Sequence, residues 1–201
     1  MITIVDYNMC NLFSVKKAFQ RIGINACITN KKKKIKDAEK LILPGVGHFS
    51  KAMESLKNLD LVEIIRYKTM SNKTPILGIC LGMQLLTNYS DEGRVEGLGL
   101  VNLDVKKFKS NNLKTPHIGW NSITVNKGFD LFKGLTNQDL FYFVHSYHVQ
   151  RRIDEDIVFG FTNYEYEFVS AFCQNNIMGV QFHPEKSHDQ GLKLLKNFCY
   201  I

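Results

Sequence analysis

Two rhythms of apolar residues run along this chain. In the first half, short apolar runs alternate with stretches in which apolar residues recur every three or four positions. Ile2–Val5 reads as a strand; Leu12, Val15, Ala18, Phe19 and Ile22 then fall at helical spacing, and Gly23 stands where a helix C-cap belongs. Strands are predicted at Ala26–Thr29, 41–43 and 76–79, with helical patterning across 49–70. Such βαβ alternation implies a parallel sheet with helices on both faces. From Leu98 onward the period shortens. Runs at 101–108, 122–125, 141–149, 157–162, 168–173 and 177–182 read as consecutive strands, the last two separated by the turn Asn175-Asn176, and Leu192, Leu195 and Phe198 mark a closing amphipathic helix. The expected class is α/β, an open mixed and mainly parallel sheet with antiparallel strands in the C-terminal half. The expected organisation is one domain over 1–201, since 201 residues at 44% hydrophobic suit one core better than two.

One junction in that pattern carries chemistry. Gly78-Ile79-Cys80-Leu81-Gly82 joins an apolar strand to the helix-like Met83-Gln84-Leu85-Leu86. Glycines two before and two after the cysteine relieve crowding in a sharp strand-to-helix turn, which lifts the side chain clear of the sheet as a nucleophile elbow. At a helix start the positive end of the peptide dipoles favours thiolate, the form that attacks carbonyls. A base is then required elsewhere, and Met178-Gly179-Val180-Gln181-Phe182-His183-Pro184-Glu185 supplies a second strand ending in histidine with a carboxylate two residues on. Cys80, His183 and Glu185 are the candidate nucleophile, base and orienter. A lone buried cysteine is usually a small core residue, and a lone histidine at a strand end is usually a satisfied polar group. Elbow glycines, chain order and the stiff His-Pro-Glu link are separate coincidences that together favour catalysis. In an open α/β sheet the chemistry gathers beyond the carboxyl ends of the strands, where Pro44-Gly45-Val46-Gly47 also falls. Backbone N–H groups of that loop (Gly45, Val46, Gly47) and of Leu81 are candidate oxyanion donors.

Charge changes little. The net charge is +7, and Lys31, Lys32, Lys33 and Lys34 form a block. Only Arg21, Arg66, Arg94, Arg151 and Arg152 carry the planar fork suited to phosphates, so nucleic acid is not expected as a partner and the lysine run reads as a solvated loop. No apolar run is long enough to span a bilayer, and the N-terminus reads as a strand rather than a secretory leader, so no membrane association and a cytoplasmic location are expected. Five cysteines without close pairs suggest neither disulfides nor a CxxC metal site. A metal hydrolase built on His183, Glu185 and His188, or on His145 and His148, lacks HExxH spacing and would leave the cysteine elbow idle. No metal and no cofactor is expected. A non-catalytic regulatory module would be favoured by loss of Cys80, His183 or Glu185, and all three are present.

Leu43-Pro44-Gly45-Val46-Gly47, the cysteine elbow and Gln181-Phe182-His183-Pro184-Glu185 together resemble the class I, triad-type glutamine amidotransferases. Asp6-Tyr7-Asn8-Met9-Cys10-Asn11-Leu12, Glu96-Gly97-Leu98-Gly99, Pro116-His117-Ile118-Gly119-Trp120-Asn121, Phe143-Val144-His145-Ser146-Tyr147 and Lys186-Ser187 are most similar to the glutaminase subunits of imidazole glycerol phosphate synthase, in order over essentially the whole chain. The resemblance implies a flavodoxin-like fold and hydrolysis of L-glutamine to glutamate and ammonia. It implies glutamine contacts at Gly47, Gln84, Glu92, Ser146 and Tyr147. It further implies that ammonia passes to a (β/α)8 cyclase subunit in a heterodimer of the histidine pathway, docked through Asn8, Trp120, Tyr142 and Lys186. A paralogous client, an enzyme that amidates surface-polysaccharide sugars, is the alternative, and His117, expected near the partner interface, is the first residue to register such a change.

Overall fold

The computed structural model describes residues 1–109, 114–125, 128–152 and 156–201. Its first half runs β1 (Ile2–Val5), α1 (Leu12–Arg21), β2 (Ala26–Thr29), α2 (Lys32–Lys36), β3 (Lys40–Gly45), α3 (Phe49–Asn58), α4 (Val62–Arg66), a π-helical turn (Tyr67–Ser71), β4 (Ile76–Cys80) and α5 (Leu81–Leu85). The second half runs β5 (Tyr89–Ser90), β6 (Val95–Glu96), β7 (Asp104–Lys107), β8 (His117–Ser122), β9 (Thr124–Val125), a 3-10 turn (Asp130–Phe132), β10 (Leu140–His145), β11 (Tyr147–Val149), β12 (Val158–Tyr164), β13 (Tyr166–Gln174), β14 (Ile177–Val180), a 3-10 turn (Pro184–Lys186) and α6 (His188–Tyr200).

Among the described residues the main sheet runs β2-β1-β3-β4-β14-β13-β11-β7-β5-β6, with β12 and β9 branching from β13. Pairing is parallel from β2 through β14 and turns antiparallel at β14–β13. Side chains alternate across this sheet and divide the core in two. Val5, Leu41, Leu43 and Ile76 pack with Phe49, Leu56 and Met83 on one face, whereas Ile2, Ile4, Ile42, Leu77 and Ile79 pack with Phe19, Phe182, Leu195 and Phe198 on the other. Helices therefore cover both faces of the parallel strands, and the antiparallel strands follow in the C-terminal half. No helix among the described residues is long and apolar enough to cross a membrane.

Four segments depart from the sequence expectation. The lysine run is not a loop: Lys32–Lys36 forms one helical turn anchored by buried Ile35, with the lysines left in solvent. The pattern across 49–70 is broken between α3 and α4, because Asp60 takes φ +52°, which no helix continues, although the apolar spacing runs on. The run 141–149 is two strands: β10 pairs with β8 in a separate two-stranded sheet, while β11 pairs with β7 and β13 in the main one, and the chain changes sheets at Ser146. The strand expected at 122–125 is preceded by β8, whose mixed burial hid it.

The elbow depends on two glycines. A Cβ at Gly78 would stand 2.7 Å from the Met83 backbone, and a Cβ at Gly82 would overlap the Leu43 carbonyl oxygen. Their absence lets α5 lie against β3 and β4, and Cys80 is forced to φ 54°, ψ −111°, a conformation that costs a non-glycine residue of order 1–3 kcal/mol. Gly82→Ala is expected to destabilise the fold by about 3 kcal/mol, because backbone rather than a flexible side chain must yield. Urea unfolding of the variant checks this, and a midpoint equal to wild type contradicts it.

Candidate active site

Strands β4 and β14 are parallel neighbours, with Ile79 opposite Val180, so the residues that follow each strand emerge side by side. Cys80 ends β4; Gln181, Phe182 and His183 continue β14. The His183 backbone N–H donates to Tyr142 O at 2.9 Å, and the Ser187 hydroxyl donates to His183 O at 2.6 Å while accepting the Tyr142 N–H at 3.0 Å. These bonds hold the histidine against β10. Its Nδ1 donates to Glu185 Oε1 at 2.7 Å, in a pair whose side chains are 2% and 3% exposed.

Burial alone would pull the His183 imidazole down. The charge and contact of Cys80, together with the hydrogen bond and charge of Glu185, outweigh it and push the group up to about 10. The imidazolium is thereby held beside the sulfur. His183 Nε2 is buried without a hydrogen-bond partner, as is Glu185 Oε2. A buried polar atom left alone costs about 1–3 kcal/mol, and such atoms cluster where a reacting group completes the set.

Cys80, Leu81 and His183 line a pocket of about 310 Å³ whose other walls include Val46, Gly47, Gln84, Glu92, Ser146 and Tyr147. All five expected glutamine contacts and three of the four expected oxyanion residues thus share one cavity with the sulfur. Gly45 does not line it; it lies in β3 opposite Cys80, under the Tyr7 hydroxyl. Glu92 reaches the start of α3, where its Oε2 accepts the Phe49 N–H at 2.8 Å. A larger cleft of about 830 Å³ beside β7, β11 and β13 is walled by Lys106, Lys107, Arg151, Phe161 and Tyr166 and contains no cysteine.

Two expected positions are held by internal contacts, and two residues were not foreseen. Both amide hydrogens of Gln84 are placed, on Tyr147 O at 3.0 Å and on Gln181 Oε1 at 3.0 Å, which leaves its Oε1 for the pocket it lines. His117 is 2% exposed and faces inward, stacked on Phe143 and Tyr164, in the strand that carries Trp120. Gln181 directs its amide nitrogen at Cys80 Sγ, 3.7 Å away; it stood inside a quoted motif, but a buried amide gives no signal in sequence. Tyr7, fully buried, donates to Pro44 O at 2.6 Å; burial, then the nearby Cys10 and Cys80, raise its pKa and keep the hydroxyl a donor. The Val46 N–H is spent on Met9 O at 2.9 Å, so the loop in this state does not offer it to the pocket.

Of the expected docking residues, three adjoin. Trp120 is 44% exposed, which rules out a core role; it packs on Tyr142 at 5.8 Å and stacks on His188 at 4.9 Å. Lys186 Nζ lies 5.7 Å from the Tyr142 ring centroid. Asn8 is exposed on a different segment, next to the Met9 carbonyl that holds the glycine loop.

The family profile described as glutamine amidotransferase class-I matches residues 3–201. Among relatives, "Imidazole glycerol phosphate synthase subunit HisH 2" of Methanococcus maripaludis is 51% identical over 199 residues, covering 98% of each chain. "Imidazole glycerol phosphate synthase subunit HisH" of Sulfurimonas denitrificans is 52% identical over 204 residues, covering 98% of this chain and 97% of that one. A solved structure titled as a glutamine amidotransferase superposes with a TM-score of 0.76 at 19% identity, covering 99% of this chain and all of the other, which speaks for the fold.

Because the folded pKa of His183 lies above the ordinary value near 6.5, its contribution to stability is present in full below about pH 6.5 and is lost as pH rises toward about 10. Proton-detected NMR of the imidazole is expected to show His183 protonated through pH 8. In Cys80→Ala, which leaves only Glu185 to oppose burial, its titration point is expected to fall. An unchanged titration in that variant contradicts the coupling.

Proposed function

The chain belongs to the class I glutamine amidotransferase family, and on that premise we propose that it hydrolyses L-glutamine to glutamate and ammonia with Cys80, His183 and Glu185. The thiolate of Cys80 attacks the side-chain amide carbon of glutamine, and the carbonyl oxygen becomes an oxyanion. The His183 imidazolium gives its proton to the departing nitrogen, which leaves as ammonia when the C–N bond breaks. A glutamyl thioester remains. Neutral His183 then takes a proton from water as the hydroxyl adds to the thioester carbon, and the sulfur leaves with the bonding pair. Glu185 keeps the imidazole in the tautomer that points Nε2 at these events. Glu92, Ser146, Tyr147 and Gly47 are the proposed contacts for the amino-acid part of glutamine. The observation that carries this reading is the conjunction of a cysteine on a strained elbow with a buried His–Glu pair, in one pocket of about 310 Å³.

The pathway reading is supported by the relatives named as imidazole glycerol phosphate synthase subunits, at 51% and 52% identity over nearly the whole chain. Ammonia is passed to a (β/α)8 cyclase subunit that makes imidazole glycerol phosphate in histidine biosynthesis, in the cytoplasm. The docking face is the outer side of β8 and β10, where exposed Ile118, Trp120 and Leu140 surround Tyr142, with Lys186 alongside and Asn8 contributing from the segment before α1.

Hydrolysis without an acceptor wastes glutamine, and the bond from Val46 N–H to Met9 O provides a resting state that withholds an oxyanion donor. Partner and ligand favour the turned loop by binding it more tightly. A missing oxyanion donor is typically worth about 3 kcal/mol, so the isolated chain is expected to release glutamate at least ~100-fold more slowly than the complex with its cyclase and nucleotide ligand. Trp120→Ala is expected to weaken assembly and lose that stimulation, and Cys80→Ser to abolish turnover in the complex. A coupled glutamate assay reads all three. Equal rates for the free and the complexed chain sink the gating, and turnover by Cys80→Ser sinks the nucleophile.

A further inference from the structure

One backbone carbonyl orients four buried side chains between the β8–β10 pair and the Cys80 sulfur. Tyr147 O can only accept, and it receives the Nδ1–H of His145 at 2.8 Å and one Nε2–H of Gln84 at 3.0 Å. The second Nε2–H of Gln84 goes to Gln181 Oε1 at 3.0 Å, which leaves the Gln181 Nε2 directed at Cys80 Sγ at 3.7 Å. On the other side, a neutral His145 with its proton on Nδ1 has a bare Nε2. The hydrogen in its 3.1 Å contact with His117 therefore sits on His117 Nδ1. Burial pushes His117 down to about 4 and, as the main cause, His145 down to about 3, so both rings are neutral near pH 7. A flipped Gln84 would set oxygen against oxygen, and a flipped Gln181 nitrogen against nitrogen. The orientation of Gln181 is thus inherited through Gln84 from an obligate acceptor, and the two histidine tautomers follow from the same carbonyl.

We infer that Gln181 is a catalytic residue whose amide N–H steadies the Cys80 thiolate, and that Gln84 is a positioning residue that holds it so. The inference rests on the reading of Cys80 as the nucleophile. The sulfur's other polar neighbours are the His183 imidazolium, whose charge favours the thiolate, and Val144 O at 4.0 Å, an acceptor that favours the thiol; the Gln181 N–H adds to the first against the second. His117 sits on the inner face of β8, three residues from Trp120 on the outer face, so the chain of bonds begins in the strand proposed to meet the partner.

The test is the rate of Cys80 alkylation by iodoacetamide in the full-length chain from pH 5 to 10, read by mass spectrometry of the Cys80 peptide. The titratable groups that face the sulfur are His183 with Glu185 behind it, Tyr7, and Glu92, His145 and Tyr147 in the pocket wall; every variant keeps all of them. Gln181→Met removes the donor. Gln181→Leu loses the donor without adding a charge beside the sulfur, which covers the case in which Gln181→Met fails to fold. Either is expected to move the half-titration point up by about one pH unit and to slow alkylation at pH 7 about tenfold. Gln84→Met, which leaves Gln181 free to turn, is expected to slow alkylation in the same direction, about threefold. A wild-type profile in a folded Gln181→Met or Gln181→Leu chain overturns the inference. Preferential labelling of another cysteine in the wild-type chain overturns the nucleophile reading itself.

Discussion

The close approach of α5 to β3 is the constraint from which the rest of the site follows. Without side chains at Gly78 and Gly82 the helix settles against the parallel strands, and the one residue between strand and helix, Cys80, must take positive φ. Its sulfur then stands beyond the carboxyl edge of β4, beside the end of β14. Parallel pairing of these two strands in register brings His183 to the same edge, and the tight turn at Pro184 returns Glu185 to its imidazole. The strain at Cys80 is held by the packing of a sheet buried on both faces, which is why a parallel sheet suits such a site.

Around that edge the chemistry is set by the burial of side chains. Away from bulk solvent, charges and hydrogen bonds act more strongly, so His183 is held well above its ordinary range by its anionic neighbours while His145 and His117 are driven well below it by burial. Three histidines within one small region thus have opposite protonation preferences. One is suited to giving a proton; two serve as neutral links with fixed tautomers. The change of sheet at Ser146 matters equally, because it turns the backbone so that Tyr147 O meets Gln84 and His145 together.

Much of this was legible from residue order. Helical and strand periods located the parallel half nearly to the residue, since β1 to β4 are predominantly apolar and α1 and α3 carry clean buried stripes. The elbow and the His-Pro-Glu link were legible because glycine spacing and proline record backbone geometry directly. Sequence periodicity failed where a backbone event leaves no compositional mark. Asp60 stops a helix whose apolar spacing runs on, Ser146 divides a continuous apolar run, and Ile35 alone converts a lysine loop into a helical turn. Gln181 was missed, and the burial of His117 was not foreseen, because polar residues buried by hydrogen bonding look, in sequence, like polar residues at the surface. Their roles depend on partners 28 and 101 positions away.

The central claim is that Cys80 forms a covalent bond with the substrate, and it is tested most directly by trapping that bond. The chain, assembled with its cyclase partner and nucleotide ligand, is mixed with glutamine and quenched in acid within the first turnovers, and the intact protein and its peptides are weighed. The account predicts a mass gain of one glutamyl group on the Cys80 peptide, labile to hydroxylamine and absent from Cys80→Ser. Steady glutamate release with no adduct at Cys80, or with an adduct on Cys10, Cys27, Cys173 or Cys199, would contradict it.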